Sequence, residues 1–323
     1  MNTIEQAAKR IEQLRRSGID VPWGAAGVED GPAGATTPAT PTSSPGAAQA
    51  PEPELSVAPM ASATEPSAGQ APSAEDRSER RSKQVELNLF RLGERGFLVP
   101  GRERSQLEEE YRIIKRPLLK NATGEGAAPV DRANLIMVTS ALPGEGKTYT
   151  SINLAISLAM ELDHTVLLVD ADVVRPAILD RLGLPPSPGL LDVLTQPGLD
   201  LADVMLKTNV PKLTLLPAGS ASGVANTTEL LASGAMESLL NELAQTYSDR
   251  IIVFDAPPLL PSTESRVLAI HMGQIVVVVE ADRTPKTSVA QAFATLETCP
   301  VVMSVLNKCS SKKVNSAYGY YAV

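Results

Sequence analysis

Six short aliphatic runs constrain the fold of this chain more than any other feature of its sequence. Each run is mainly apolar rather than alternating, which is typical of strands that are buried on both faces of a sheet. Helical stretches separate most of the runs, and this alternation predicts an α/β fold with a mostly parallel, doubly wound sheet that helices cover on both sides. The predicted strands are residues 135–139, 166–169, 213–216, 251–254, 275–279 and 301–306, and the main predicted helices are 147–161, 236–247 and 288–296.

The N-terminal quarter has a different composition. Residues 1–18 carry a capping-box pattern and apolar residues at helical spacing, which predicts an amphipathic helix. Residues 19–82 are rich in Pro, Ala and Ser, and such a segment buries too little apolar surface to offset its ordering entropy. We therefore predict a disordered linker there, a folded domain over 83–308 and a polar tail over 309–323.

Charge and hydropathy argue against several classes of function. The chain has 29 Lys and Arg against 37 Asp and Glu, a formal net charge of −8, whereas general nucleic-acid binding depends on basic residues that neutralise phosphates. No aliphatic stretch approaches the roughly 18–20 residues that span a bilayer, and the first residues lack the apolar region of a secretory signal. Two cysteines and two histidines indicate neither a disulfide framework nor a metal site. We expect a cytoplasmic protein without a membrane span.

The sharpest motif is Ala-Leu-Pro-Gly-Glu-Gly-Lys-Thr at 141–148, which follows a predicted strand and opens a predicted helix. Glycines in such a loop let successive backbone N–H groups point toward an anion, and the helix N-terminus adds its positive end. In this pattern Lys147 reaches the β- and γ-phosphates of a nucleotide and the Thr148 hydroxyl ligates Mg²⁺. Ala141 stands where the general pattern has Gly, and the alternative is an ordinary strand-to-helix turn. The predicted nucleotide-binding residues here are Pro143, Gly144, Glu145, Gly146, Lys147, Thr148 and Tyr149.

Acidic residues follow two further predicted strands. Asp170 and Asp172 come after the run 166–169, and Asp255 comes after the run 251–254. Ligands bind beyond the carboxyl ends of strands in open α/β sheets, and an acid there holds Mg²⁺ through water in phosphate-loop enzymes. A lone acidic pair is more often solvated or caps a helix. Three acids beside a phosphate loop predict a site for a nucleotide with Mg²⁺.

Taken together, these motifs resemble those of the bacterial protein-tyrosine autokinases, or BY-kinases, whose P-loop NTPase fold is shared with the MinD and ParA ATPases. The resemblance extends to Asn-Thr-Thr-Glu-Leu-Leu at 226–231 and covers about residues 105–323. Within the family, segments 110–119 and 170–176 are most similar to the exopolysaccharide-locus, exosortase (PEP-CTERM)-associated subgroup.

The resemblance implies a kinase that uses ATP and Mg²⁺ and phosphorylates its own tail, mostly between subunits. Which of Asp170 and Asp172 accepts the tyrosine proton, and which lies near the metal, stays open. The implied residues are Lys147, Asp170, Asp172 and Asp255 in catalysis, Thr148, Asp170 and Asp255 around Mg²⁺, Asn307 at the adenine, and Tyr318, Tyr320 and Tyr321 as phosphoacceptors.

Partners follow from the same resemblance. Family members without a membrane segment usually work with a separate transmembrane activator of the polysaccharide chain-length, or co-polymerase, type. The resemblance therefore implies such a partner, a peripheral position at the inner membrane through it, self-association, and a role in exopolysaccharide synthesis or export. The helix predicted over 1–18 and the linker behind it are one candidate for the docking arm.

Two features depart from the family's pattern. Val174 stands where the family has Arg, and Arg175 follows it. A charged helix is predicted over 105–120, ended or kinked by Pro117, and it carries the family's oligomerisation motif with Lys115 in place of its last Arg. Lysine lacks the planar fork that pairs with carboxylates, so we expect a ring assembly to be weakened or altered.

Two other functions stay open on the sequence alone. A ParA- or MinD-like ATPase transfers phosphate only to water, but its loop carries a signature lysine where this chain has Leu142. A nucleotide-gated adaptor of a polysaccharide assembly machine binds ATP without tyrosine phosphorylation. The tyrosine cluster alone favours a sticky aromatic end or a strand that packs on the sheet, whereas together with the phosphate-loop motifs it favours the autokinase.

Overall fold

A computed structural model describes residues 83–101, 105–220, 226–246 and 250–309 of the chain. The predicted N-terminal helix and linker and the three tail tyrosines lie outside the described residues, so they and the domain boundaries stay predictions. Within the described ranges, no helix is both long and apolar enough to cross a membrane.

The described residues form one eight-stranded sheet flanked by ten helices. The strands are β1 (Lys83–Val85), β2 (Leu135–Ser140), β3 (Thr165–Asp170), β4 (Leu206–Thr208), β5 (Leu213–Leu216), β6 (Arg250–Asp255), β7 (Gln274–Glu280) and β8 (Val302–Asn307). The helices are α1 (Leu89–Glu94), α2 (Gln106–Ala122), α3 (Lys147–Ala159), α4 (Ile178–Leu182), α5 (Leu190–Thr195), α6 (Leu201–Val204), α7 (Thr227–Leu231), α8 (Gly234–Thr246), α9 (Thr263–Ala269) and α10 (Lys286–Ala294).

The sheet has the strand order β1-β4-β5-β3-β6-β2-β7-β8, and every neighbouring pair is parallel except β4 and β5. The predicted fold class and all six predicted strands are confirmed. The short strands β1 and β4 were not predicted, because each has three residues and neither forms an aliphatic run.

The core consists of two apolar layers, one on each face of the sheet. All six residues of β2 are buried, with Leu135 and Met137 in one layer and Ile136 and Val138 in the other. Residues of α5 to α10 complete the first layer, and residues of α1 to α4 complete the second. Because the central strands are buried on both faces, charged side chains are accommodated mainly where these strands end.

Helix α2 confirms the predicted charged helix. Ser105 caps its start by accepting a hydrogen bond from the Glu108 N–H at 3.2 Å. The helix continues through Pro117 to Ala122, so the expectation that Pro117 could end it is wrong. Pro117 deprives the carbonyl of Ile113 of its helical donor, but Ile113 is 53% exposed and water can replace that donor.

The residues of α2 that resemble the family's oligomerisation motif make contacts within the chain itself. The buried amine of Lys115 donates to the Ser157 carbonyl at 2.6 Å and lies 2.7 Å from a Glu161 carboxylate oxygen, both at the end of α3. Arg112 pairs with Glu109 of its own helix at 2.8 Å. Lys115 therefore fastens α2 to the helix that follows the phosphate loop.

We expect Lys115→Met to lower the free energy of unfolding by about 1–3 kcal/mol, because it leaves a buried carbonyl without its donor and a carboxylate without its partner. Lys120→Met on the same helix is the matched control, since Lys120 is exposed, and its effect should stay within about 0.5 kcal/mol. Urea unfolding measures both variants. Equal effects would show that the Lys115 contacts do not stabilise the fold.

Candidate active site

The phosphate loop joins β2 to α3 at the carboxyl edge of the sheet. Gly144 has φ +87° and Gly146 has φ +101°, left-handed conformations that favour glycine and turn the loop back over the start of the helix. Gly146 is the N-cap and provides no side-chain cap. The first N–H groups of α3 therefore remain suited to an anion.

The amine of Lys147 lies among carboxylates. Its Nζ is 2.7 Å from Asp172 Oδ2 and 3.7 Å from Asp255 Oδ1, and its side chain is 12% exposed. Burial alone lowers the pKa of Lys147, but the charges of Asp255 and Asp172 outweigh burial and raise it. Lys147 therefore stays protonated, and the charges of Asp172 and Asp255 hold its amine beside them.

The three predicted acids lie on adjacent strand ends. Asp170 and Asp255 are register partners across β3 and β6. One oxygen of Asp170 accepts the N–H groups of Ala177 and Ile178, both at 3.0 Å, and so begins α4. Asp255 accepts the Ser151 hydroxyl at 3.1 Å. Sheet register thus brings together acids that are 85 residues apart in the chain.

Burial and mutual repulsion disfavour the charged forms of two acids in this group. Burial, followed by the charge of Asp255, raises the pKa of Asp170 to about 7. Burial also raises the pKa of Asp255, against Lys147 and the Thr148 hydroxyl, which lower it. One further oxygen of Asp170 and one of Asp255 are buried without a hydrogen-bond partner among the described residues. When all three acids are ionised, the group carries more negative charge than Lys147 alone balances.

Mg²⁺ fits this arrangement only together with a nucleotide. In the described ranges, no three His, Cys, Asp or Glu residues are grouped to hold a metal by themselves. Mg²⁺ usually takes one or two carboxylates plus waters and substrate phosphates. The Thr148 hydroxyl and the unpaired oxygens of Asp170 and Asp255 are the protein groups that such an ion would use.

A cleft of about 1140 Å³ lies over the loop. Its walls include Pro143, Gly144, Gly146, Lys147, Thr148, Tyr149, Asp172 and Arg175. Of the three acids, Asp172 lines the cleft, whereas Asp170 and Asp255 lie beneath it and are at most 1% exposed. Val174, at the departure from the family pattern, is 57% exposed on the same wall beside Arg175.

Three predicted binding residues make contacts that the sequence did not indicate. The Tyr149 hydroxyl donates to the Gly96 carbonyl at 2.6 Å, and its ring packs on Phe97 with centroids 5.1 Å apart. The Asn307 amide donates to the Glu145 carbonyl at 2.9 Å, beside the loop. The Glu145 side chain points away from the cleft. Nucleotide contacts of these three residues stay predictions.

Other residues of the site were missed from the sequence. Ser151 lies one helical turn after Lys147, so the spacing of α3 could have identified it. Arg95 and Phe97, from the segment after α1, and Arg181 and Glu264 also line the cleft. These four residues lie outside the recognised motifs, and only the tertiary fold brings them to the loop.

Three comparisons relate the chain to known proteins. Residues 133–303 match the family model described as AAA domain. The chain is 31% identical over 231 residues to the tyrosine-protein kinase YwqD of Bacillus subtilis, covering 71% of this chain and 92% of YwqD. It is 34% identical over 189 residues to the succinoglycan biosynthesis transport protein ExoP of Rhizobium meliloti, covering 58% of this chain and 23% of ExoP. The crystal structure of the VpsO kinase domain matches with a TM-score of 0.50 and 31% identity, over 64% of this chain and 100% of that domain.

The raised pKa of Asp170 predicts how stability depends on pH. Its folded value is about 7 against an ordinary 3.8, so between these values the folded state keeps a proton that the unfolded state has lost. The contribution of Asp170 to the free energy of unfolding therefore falls as pH rises through this window, by up to about 1.4 kcal/mol per pH unit.

Asp170→Asn cannot ionise, so we expect it to gain stability relative to the unsubstituted protein as pH rises from about 4 to 7. Urea unfolding at several pH values, without nucleotide or metal, measures the difference. A difference that does not change with pH would contradict the raised pKa.

Proposed function

This chain belongs to the bacterial tyrosine-protein kinases, and we propose that it is an autokinase that transfers the γ-phosphoryl group of ATP to tyrosines of its own C-terminal tail. The observation that carries the proposal is the position of Lys147, between the phosphate loop and two strand-end carboxylates. Catalysis of phosphoryl transfer consists mainly of positioning and charge stabilisation. A rigid loop, a fixed cation and acids at strand ends suit that chemistry.

In this proposal the backbone N–H groups of the loop and the Lys147 amine hold the phosphates of ATP. The Thr148 hydroxyl ligates Mg²⁺, with Asp255 and Asp170 around it. When bound, Mg²⁺ would supply positive charge that offsets the negative charge of the phosphates during transfer.

We propose that Asp172, rather than Asp170, accepts the proton of the tyrosine hydroxyl or orients that hydroxyl. Asp172 lines the cleft, whereas Asp170 is 1% exposed and one of its oxygens is occupied by two N–H groups. Lys147 is paired with Asp172 at 2.7 Å. Phosphates that draw Lys147 away would free the Asp172 carboxylate to accept the proton or orient the hydroxyl.

The phosphoacceptors of the proposal are Tyr318, Tyr320 and Tyr321. The chain continues toward them from Lys308, whose amine donates to the Gly144 carbonyl at 2.7 Å, beside its own loop. The ten residue steps from Lys308 to Tyr318 extend at most about 35 Å. We propose transfer in trans, between copies of the chain, as the resemblance to the BY-kinases implies.

Incubation with ATP and Mg²⁺ should add phosphate in single steps to the tryptic peptide 314–323, which contains the three tyrosines. Lys147→Met should gain none. Intact mass and peptide mass spectrometry measure both. ATP consumption without phosphotyrosine would favour the ATPase, and tight ATP binding with neither outcome would favour the adaptor.

A mixture of two variants tests the trans route. Lys147→Met keeps the tail but lacks the loop lysine, whereas the triple Tyr→Phe tail variant keeps the loop and lacks acceptors. Phosphate should appear on the Lys147→Met chain only in the mixture. If the mixture stays unphosphorylated while the unsubstituted chain is active, transfer is in cis.

We also propose a role in exopolysaccharide synthesis or export, together with a transmembrane co-polymerase partner that holds the protein at the inner membrane. The support is the name of ExoP, which describes a succinoglycan biosynthesis transport protein of about one-third identity to this chain. The N-terminal helix predicted over 1–18 is the proposed docking arm.

Deletion of residues 1–80 tests the docking arm. We expect the deleted chain to move from the membrane fraction to the supernatant of lysed native cells, because the arm is absent. Lys147→Met should stay in the membrane fraction as the full-length control. Unchanged membrane association of the deleted chain would overturn the docking arm.

A further inference from the structure

Glu145 lies inside the phosphate loop, yet its carboxylate faces away from the cleft. The residue is 2% exposed. Its Oε2 accepts the N–H of Leu142 at 2.6 Å, at the start of the loop. Its Oε1 accepts the N–H of Glu280 at 3.4 Å and the hydroxyl of Thr284. One buried carboxylate thus bridges the loop to the connection between β7 and α10.

The end of β8 also contacts the loop, and it contacts Glu280 at the start of the same connection. Asn307 donates to the Glu145 carbonyl at 2.9 Å, and Lys308, whose amine lies 3.1 Å from Glu280, donates to the Gly144 carbonyl at 2.7 Å. Two consecutive carbonyls of the loop are therefore held by the end of β8.

These contacts matter because the sequence of the loop favours a flexible backbone. Glu145 stands between two glycines, and glycine gives the backbone more conformations than any other residue. When a loop samples several conformations, its affinity for the ligand falls in proportion to the fraction of time that it spends in the binding-competent conformation. A buried carboxylate with three donors restricts that sampling strongly, because leaving those donors unpaired is costly.

We propose that Glu145 is a positioning residue that holds the phosphate loop in its binding-competent conformation, and that it acts through the Thr284 hydroxyl outside the loop. The proposal rests on the proposed function only in taking the ligand to be ATP or ADP. Because bound phosphates order the loop themselves, loss of the contact weakens nucleotide affinity and leaves turnover at saturating ATP nearly unchanged.

Calorimetric binding of ADP with Mg²⁺ to the full chain tests the proposal. Thr284→Val removes the hydroxyl without changing the loop, and Glu145→Gln replaces one acceptor oxygen of the carboxylate with an NH2 donor and removes its charge. We expect each to raise the Kd for ADP about tenfold, and to raise KM for ATP similarly with kcat within about twofold. Thr295→Val, at the end of α10, is the matched control, because its hydroxyl donates only within that helix end, and its Kd should not change.

The double variant of Glu145→Gln and Thr284→Val provides the sharper result. Glu145→Gln disturbs the contacts with Leu142, Glu280 and Thr284, and Thr284→Val removes only the last of them. The double variant should therefore bind ADP no more than about twofold more weakly than Glu145→Gln alone. Effects that multiply, or a Thr284→Val variant with lower melting temperature but unchanged Kd, would overturn the positioning role. If tyrosine phosphorylation is absent throughout while ADP affinity falls as expected, the autokinase proposal fails and the role of Glu145 stands.

Discussion

The interaction on which the site depends is that of the Lys147 ammonium group with carboxylates at the ends of buried strands. The central strands β2, β3, β5, β6 and β7 carry acidic residues only at their carboxyl ends, where β3 and β6 place Asp170 and Asp255 side by side. Lys147 balances part of this charge, and burial keeps the pKa of both acids raised. We expect phosphates and a divalent cation to replace the ion pairs between Lys147 and these carboxylates.

That exchange requires a loop whose backbone is already in place. The loop is supported from beneath by Glu145, from β8 by Asn307 and Lys308, and through α3 by Tyr149, whose hydroxyl reaches the Gly96 carbonyl. These contacts join segments near both ends of the described chain to one short turn. Lys308, the residue before the predicted tail, therefore contacts the phosphate loop directly.

Much of the fold and of the candidate site could be predicted from the sequence, because both depend largely on local patterns. Aliphatic runs identified the six longer strands, glycine and lysine spacing identified the loop, and strand-end acids identified the partners of Lys147. The directions of the Glu145 and Lys115 side chains could not be predicted, because they depend on contacts with residues far along the chain, such as Thr284, 139 residues after Glu145. The strands β1 and β4 were missed because they are short and acquire their pairing only from the sheet.

The exchange of partners by Lys147 is the central claim, and a crystal structure with Mg²⁺ and a non-hydrolysable ATP analogue tests it most directly. We expect the Lys147 amine to leave Asp172 and lie within hydrogen-bond distance of the β- or γ-phosphate oxygens, with Asp172 open to the cleft. A nucleotide bound in the cleft while Lys147 still holds Asp172 at its present distance would contradict the account.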